Sequence, residues 1–132
     1  PQLALAGFAA RTRVAGSQLT SGTGRAEDDV VLDGIVFPGE AWQARGVAGL
    51  PSYSQVSDML PTARGPAARL FAFGHDAWLI TAFLERLVRS TDGELAGATG
   101  SLRSDGFGNI VRQPQWSTFR EGVAVPVSGG SY

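Results

Sequence analysis

The 132-residue chain has no cysteine, and its eleven positive charges are all arginine, with no lysine among them. Without cysteine there is neither a disulfide nor a thiolate metal site. Without lysine there is no Walker-type phosphate loop, no Schiff base and no Ser–Lys dyad. Lysine codons are AT-rich and Ala, Gly and Arg codons mostly GC-rich, so a GC-rich genome accounts for the gap. One histidine, His75, is present, too few for an imidazole-built metal site. No G-x-S-x-G nucleophile elbow occurs, and no apolar run reaches membrane-spanning length. Charged residues make up only 17% of the chain, against about a quarter in an average domain. So sparse a set implies surface that something else normally covers. The formal net charge of -1 gives no reason to expect nucleic acid or anionic lipid as a partner.

What is present suits one domain. The chain is 43% hydrophobic, with three Trp and seven Phe, enough for a packed core. "PQLALAGFAARTR" carries Leu3, Ala6 and Ala10 at helical spacing and reads as the tail of a helix begun upstream, so the chain looks like a fragment. Two strands are expected, Val14–Ser17 and Gly34–Phe37, the second stopped by Pro38-Gly39. Between them "TSGTGRAEDD" reads as a loop, and Glu27-Asp28-Asp29 as a solvated face. From Glu40 to Gly65 the spacing predicts irregular chain with a helical turn near Val56–Leu60; so long a loop is usually functional or covers something.

The strongest signal is a helix. Pro66 suits a first turn and Gly93 an end. Leu70, Phe73, Ala77, Ile80, Leu84 and Leu87 form an apolar stripe expected to be buried. Phe71, Trp78, Leu79 and Phe83 extend the apolar surface around most of the girth, which predicts burial on several sides. Gly74 within it implies a close-packed neighbour. Beyond it, hairpins are expected around Asp105–Asn109 and Glu121-Gly122, with Pro126 marking an edge strand, and residues 128–132 read as a disordered tail after a domain spanning 1–127.

His75 and Asp76 invite a catalytic reading. Adjacent helical side chains point about 100° apart, so the two are not expected to bond. Asp76 is expected instead at the core edge as a structural acceptor of backbone or hydroxyl hydrogen bonds. "GATGS" superficially resembles a phosphate loop but lacks the lysine. No residue set reads as catalytic, metal-binding or cofactor-binding. Both expected strands run into small polar residues. In open α/β sheets ligands sit at the carboxyl ends of the strands, so Ser17, Gln18, Thr20, Ser21 and the Glu40-Ala41-Trp42 stretch either line a cleft or form ordinary surface loops; the sequence leaves both open.

The ordered set of motifs resembles the C-terminal domain of the LppC (LpoA) family of penicillin-binding protein activators. It comprises Ser17-Gln18 with Ser21-Gly22, Leu32-Asp33-Gly34, Arg69-Leu70 through Gly74, Asp76-Ala77, Gly97 with Thr99-Gly100 and Leu102, and Arg112, Trp116, Phe119 and Gly122. Ala41 stands where the family has a proline, and residues 43–65 match nothing in the pattern. The resemblance implies an α/β fold, part of a type I periplasmic-binding-protein-like architecture with αβα layers and a mostly parallel sheet ending in hairpins. It also implies a non-enzymatic outer-membrane lipoprotein facing the periplasm of a Gram-negative bacterium, anchored through an upstream lipid. Its partner would be a class A penicillin-binding protein. A periplasmic receptor for a small ligand, an amino acid or a peptide, is the alternative.

Overall fold

The computed structural model describes residues 13–14, 16, 22–89 and 93–127. The helix tail expected at the start, the cleft residues 17–21 and the tail at 128–132 lie outside them. The elements are β1 (Arg13–Val14), α1 (Ala26–Asp29), a 3-10 turn (Val30–Leu32), β2 (Ile35–Gly39), α2 (Ala41–Arg45), α3 (Tyr53–Met59), α4 (Pro66–Arg89), β3 (Glu94–Ala96), β4 (Gly100–Ser104), β5 (Ile110–Arg120) and β6 (Val123–Pro126).

The strands form one sheet in the order β1-β2-β5-β4-β3, with β6 also on β5. The eleven-residue β5 is its spine: residues 110–114 pair with β4, 115–118 with β2 and 117–120 with β6. The α/β class holds, but among the described residues the only parallel ladder is β1–β2, with one isolated parallel bridge between Asp33 and Phe119; every other ladder is antiparallel. For three of these ladders the reason is local: hairpins join β3 to β4, β4 to β5 and β5 to β6, and a hairpin can only produce antiparallel neighbours; β2 and β5 pair antiparallel across a long intervening stretch.

Several expectations need correction. β2 runs through Pro38 and Gly39 instead of stopping there, with Pro38 opposite Trp116. Among the described residues β1 pairs only with Ile35 and Val36 and not with Pro38, a position at which a proline withholds no ladder N–H from β1. The acidic loop contains α1, and the irregular stretch contains α2 and α3. α3 is set by a capping box: the Ser52 hydroxyl accepts from the Gln55 amide, and the Gln55 side chain accepts from the Ser52 amide.

The face of α4 also differs from the one the apolar stripe predicts. Its buried residues are Ala68, Ala72, Asp76 and Leu87, while Leu70 is 74% and Trp78 63% exposed, and Phe73, Phe83, Leu84 and Val88 face solvent as well. Small side chains decide the outcome. Ala68 and Ala72 let the helix approach the Trp42 cluster, which holds Trp42, Val56, Ala63 and Ala98. Farther along, Leu87 joins Leu95 and Leu102, with Leu79 and Ile80 packed against them. Periodicity identifies an apolar face but cannot say which face this sheet will cover. Gly74 has no neighbour within 4 Å of where a Cβ would stand, so close packing does not explain it. α4 is continuous across Gly74 and departs from helical geometry at Phe83 (φ -119, ψ 19). Nearby, the Thr81 hydroxyl donates to the Ala77 carbonyl, a back-bond that bends helices.

The β5–β6 turn has both central residues at positive φ, Glu121 at 54° and Gly122 at 72°, as a type I′ hairpin requires. Asp33 secures it by accepting from the amides of Glu121 and Gly122, each at 2.9 Å. A Cβ on Gly122 would lie 2.0 Å from the Ala26 carbonyl oxygen. Gly122→Ala is therefore expected to lower stability by at least the roughly 1–3 kcal/mol of a strained backbone position, read as a reduced urea midpoint. At the β4–β5 turn, the Asn109 side chain and then the Phe107 amide hold the Asp105 carboxyl below its ordinary value of 3.8. A depressed carboxylate stabilises the fold above its unfolded value and loses that contribution as pH falls through the folded one. The Phe107 and Asn109 amide resonances should accordingly titrate with a midpoint below the ordinary carboxylate value of 3.8.

Candidate functional site

Asp76 is 2% exposed and meets the turn between β3 and β4. Its Oδ1 accepts from the Ala98 amide at 2.6 Å and its Oδ2 from the Thr99 amide at 2.9 Å, while the Thr99 hydroxyl also donates to Oδ2. The glycines flanking this turn make room for it. A Cβ on Gly97 would stand 2.8 Å from both carboxylate oxygens, and one on Gly100 2.2 Å from the Gln113 carbonyl oxygen. The Gly-Ala-Thr-Gly stretch thus does bind an anion through its backbone amides, and that anion is Asp76. The network continues: the Ala98 carbonyl accepts from the Trp42 amide at 2.9 Å, and the Trp42 indole N–H donates to the Pro51 carbonyl at 2.7 Å. Helix, hairpin and the α2–α3 segment are therefore joined through the Ala98 peptide.

His75 and Asp76 are closer than expected, with Nδ1 3.2 Å from Oδ1. The 100° separation applies to the directions in which side chains leave the helix. It does not prevent the His75 ring from folding back toward a carboxylate already turned to the hairpin. The contact does not make a catalytic pair, because Asp76 is committed to three donors and Thr99, the hydroxyl beside it, donates to Asp76 and not to His75. His75 packs near Trp78, ring centroids 6.1 Å apart.

Trp42 is 1% exposed and belongs to the core, tilted against Phe71 and edge-on to Tyr53; it is not a cleft-lining residue. Its apolar bulk outweighs its position after β2. Ser17, Gln18, Thr20 and Ser21 lie outside the described residues. Among the described residues no group of three His, Asp or Glu side chains could hold a metal ion, and no helix is long and apolar enough to cross a membrane.

A feature the sequence did not announce lies at the end of β2. Glu40, 8% exposed, accepts from the Arg69 Nε at 2.7 Å. The two are 29 residues apart, so no local spacing could signal the pair. Beside them the Arg112 guanidinium lies over the Phe73 ring, 4.3 Å from its centroid. A cavity of about 230 Å³ opens between these groups, Pro38 and Pro114. A second cavity, of about 220 Å³, lies near Gln43, Tyr53 and Phe119.

The profile of the family described as "LppC putative lipoprotein" matches residues 3–122. The chain belongs to the LppC family. Two curated relatives are similar over part of it. The penicillin-binding protein activator LpoA of Haemophilus influenzae is 37% identical over 60 residues, taking in 46% of this chain and 10% of that protein. The activator of the same name from Pectobacterium parmentieri is 36% identical over 59 residues, or 45% and 9% of the two chains. The matched stretch is therefore about a tenth of each relative's length. Among solved structures, the Haemophilus influenzae LpoA C-domain, titled a regulator of PBP1A, superposes with a TM-score of 0.66 at 24% identity, covering 88% of this chain and 36% of that one. Full-length LpoA of the same organism gives 0.65 at 23%, covering 88% and 21%. These likenesses establish that this LppC chain shares the fold of the part of that C-domain that it covers, about a third of it.

If Asp76 locks helix to hairpin, removing it should leave three buried donors without an acceptor. Asp76→Ala is expected to cost about 1–3 kcal/mol, and Thr99→Val, which removes one donor but leaves both amide bonds, about 0.5–1.5 kcal/mol. Urea titration of both variants checks the order; a larger loss in Thr99→Val would contradict it.

Proposed function

We propose that the intact protein is an outer-membrane lipoprotein of a Gram-negative envelope. In this reading it binds a class A penicillin-binding protein in the periplasm and raises its synthesis of peptidoglycan, adding no chemistry of its own. Residues 1–127 are then a portion of its periplasmic-binding-protein-like domain. The observation that carries this reading is the family match across residues 3–122, together with relatives named as activators of penicillin-binding proteins. The disposition of reactive groups supports it. Asp76 and Thr99 are committed to each other and to backbone, and the hydrogen-bonding neighbour of His75 among the described residues is that already engaged carboxylate.

An activator works by preferring one conformation of its partner. Raising a sparsely populated active state about tenfold requires that it bind that state roughly 1.4 kcal/mol more tightly than the inactive one. A modest difference in interface contacts supplies that, and no catalytic group is needed. The sparse charge and the exposed apolar side chains of α4 suit a protein whose surface is covered by protein.

The test is reconstitution of the full-length protein with its own class A synthase, measuring binding, glycan polymerisation and crosslinking. Saturable binding and a rise in synthesis are expected. Absence of both, with tight saturable binding of an amino acid or peptide, would assign the protein to transport receptors instead.

A further inference from the structure

We propose that the end of the molecule built from α1, the 3-10 turn and the β5–β6 turn is a docking surface for a basic protein segment with an apolar side chain at its tip. The surface has an apolar centre. Val30, Val31 and Val123 stand about half exposed. Beside them the cavity of about 220 Å³ has Ala26, Phe119, Val123 and Ala124 as apolar lining, with Asp29 and Tyr53 among its polar residues. These parts form one continuous surface, because Asp33 accepts from the Glu121 and Gly122 amides and Gly122 lies against the Ala26 carbonyl. The volume is below the roughly 300–1,000 Å³ of pockets for drug-sized ligands, a size for one inserted side chain. The Tyr53 hydroxyl at the cavity wall is buried without a hydrogen-bond partner, and a buried donor of that kind calls for an acceptor from elsewhere.

Charge decides what docks there. Glu27, Asp28, Asp33 and Glu121 are exposed around the valines, and Asp29 is buried beside the cavity; Arg25 and Arg120 are the cations among them. Five carboxylates thus face two guanidiniums in a chain whose net charge is only -1. Glu27, Asp28 and Glu121 enter no ion pair among the described residues, where the pairs are Arg69–Glu40, His75–Asp76 and Arg89–Glu85. An acidic rim repels nucleic acid and anionic lipid and favours a cationic partner. An apolar centre inside a charged rim is the anatomy of a protein interface, and a small cation would leave the valines uncovered. The surface also lies at the amino end of β2, where Asp33 and Gly34 lead into Ile35. Open α/β sheets present small ligands at the opposite, carboxyl end, so this is not the cleft of a solute receptor.

The inference deepens the regulator reading and rests on it for the owner of the basic segment, which is then the synthase. Its test is hydrogen exchange of the full-length protein with and without its own class A synthase, followed by titration of variants. Slowed exchange at residues 26–33 and 120–124 is expected in the complex. The double variant Glu27→Arg, Asp28→Arg changes two exposed side chains. It should weaken binding about tenfold or more, a difference of roughly 1.4 kcal/mol, with the thermal midpoint unchanged. Val31→Ser should weaken it less, and Glu85→Arg on α4 should leave the affinity as it was. Affinity should also fall as salt is added, since rim charges are screened. Absence of binding by the unaltered protein overturns the regulator reading and this inference together. Binding without protection at those residues, or with full affinity in the charge-reversed variant, overturns this inference alone. The exchange measurement uses the unaltered protein and stands even if a variant fails to fold.

Discussion

A carboxylate gripping a pair of backbone amides is the interaction on which this fold depends, and Asp76 is its most buried instance. A helix and a hairpin have no hydrogen-bonding edges to offer each other. Asp76 supplies the link by presenting two oxygens to a turn whose N–H groups at Ala98 and Thr99 would otherwise be stranded. The same device recurs at the surface and in the loops. Asp29 accepts from the Thr23 and Gly24 amides, Asp33 from those of Glu121 and Gly122, and Asp105 from those of Phe107 and Asn109. In a chain poor in charge, these acids fasten turns, Asp29 and Asp76 from buried positions and Asp33 and Asp105 from exposed ones. Glycine-rich loops and a low charge content thus belong to one solution: the glycines permit the turns and the aspartates close them.

The elements legible in the sequence were those whose signal is local. The hairpins at Asp105–Asn109 and Glu121-Gly122 could be read because turn chemistry is written in adjacent residues. So could the helix from Pro66, whose start and stop signals frame it. The capping box Ser52–Gln55 was equally local and was overlooked beneath the prolines around it. What the sequence could not show depended on contacts between distant residues. The buried face of α4 was misjudged because small Ala68 and Ala72 meet Trp42 and Ala98, whereas the larger Leu70 and Trp78 face outward. Bulk and periodicity point to a core only when the covering partner is known. The Glu40–Arg69 pair and the stacking of Arg112 on Phe73 bring together residues far apart in sequence, which periodicity does not encode. Trp42, by its position after a strand, was open to a cleft or an ordinary surface loop, yet its ring is held in the core against Phe71 and Tyr53.

These contacts bear on function through what they leave available. The histidine, its neighbouring aspartate and the nearest hydroxyl are bound up in one structural network, so their proximity builds a joint. The surfaces that remain are of a different kind: apolar side chains along the outer face of α4, Phe107 at a hairpin tip with 90% exposure, and a small cavity with an arginine at its rim. Membership of the LppC family is consistent with this physical account.

The central claim is that the Asp76 carboxylate, and not apolar packing alone, holds the β3–β4 turn to α4. Hydrogen exchange of the Ala98 and Thr99 amides tests it most directly, because both lie in a turn and neither bonds to a strand. If the claim holds, they exchange as slowly as the paired amides of β4, opening only when the fold as a whole opens. Exchange as fast as that of Gly106 and Phe107 at the exposed hairpin tip would contradict it.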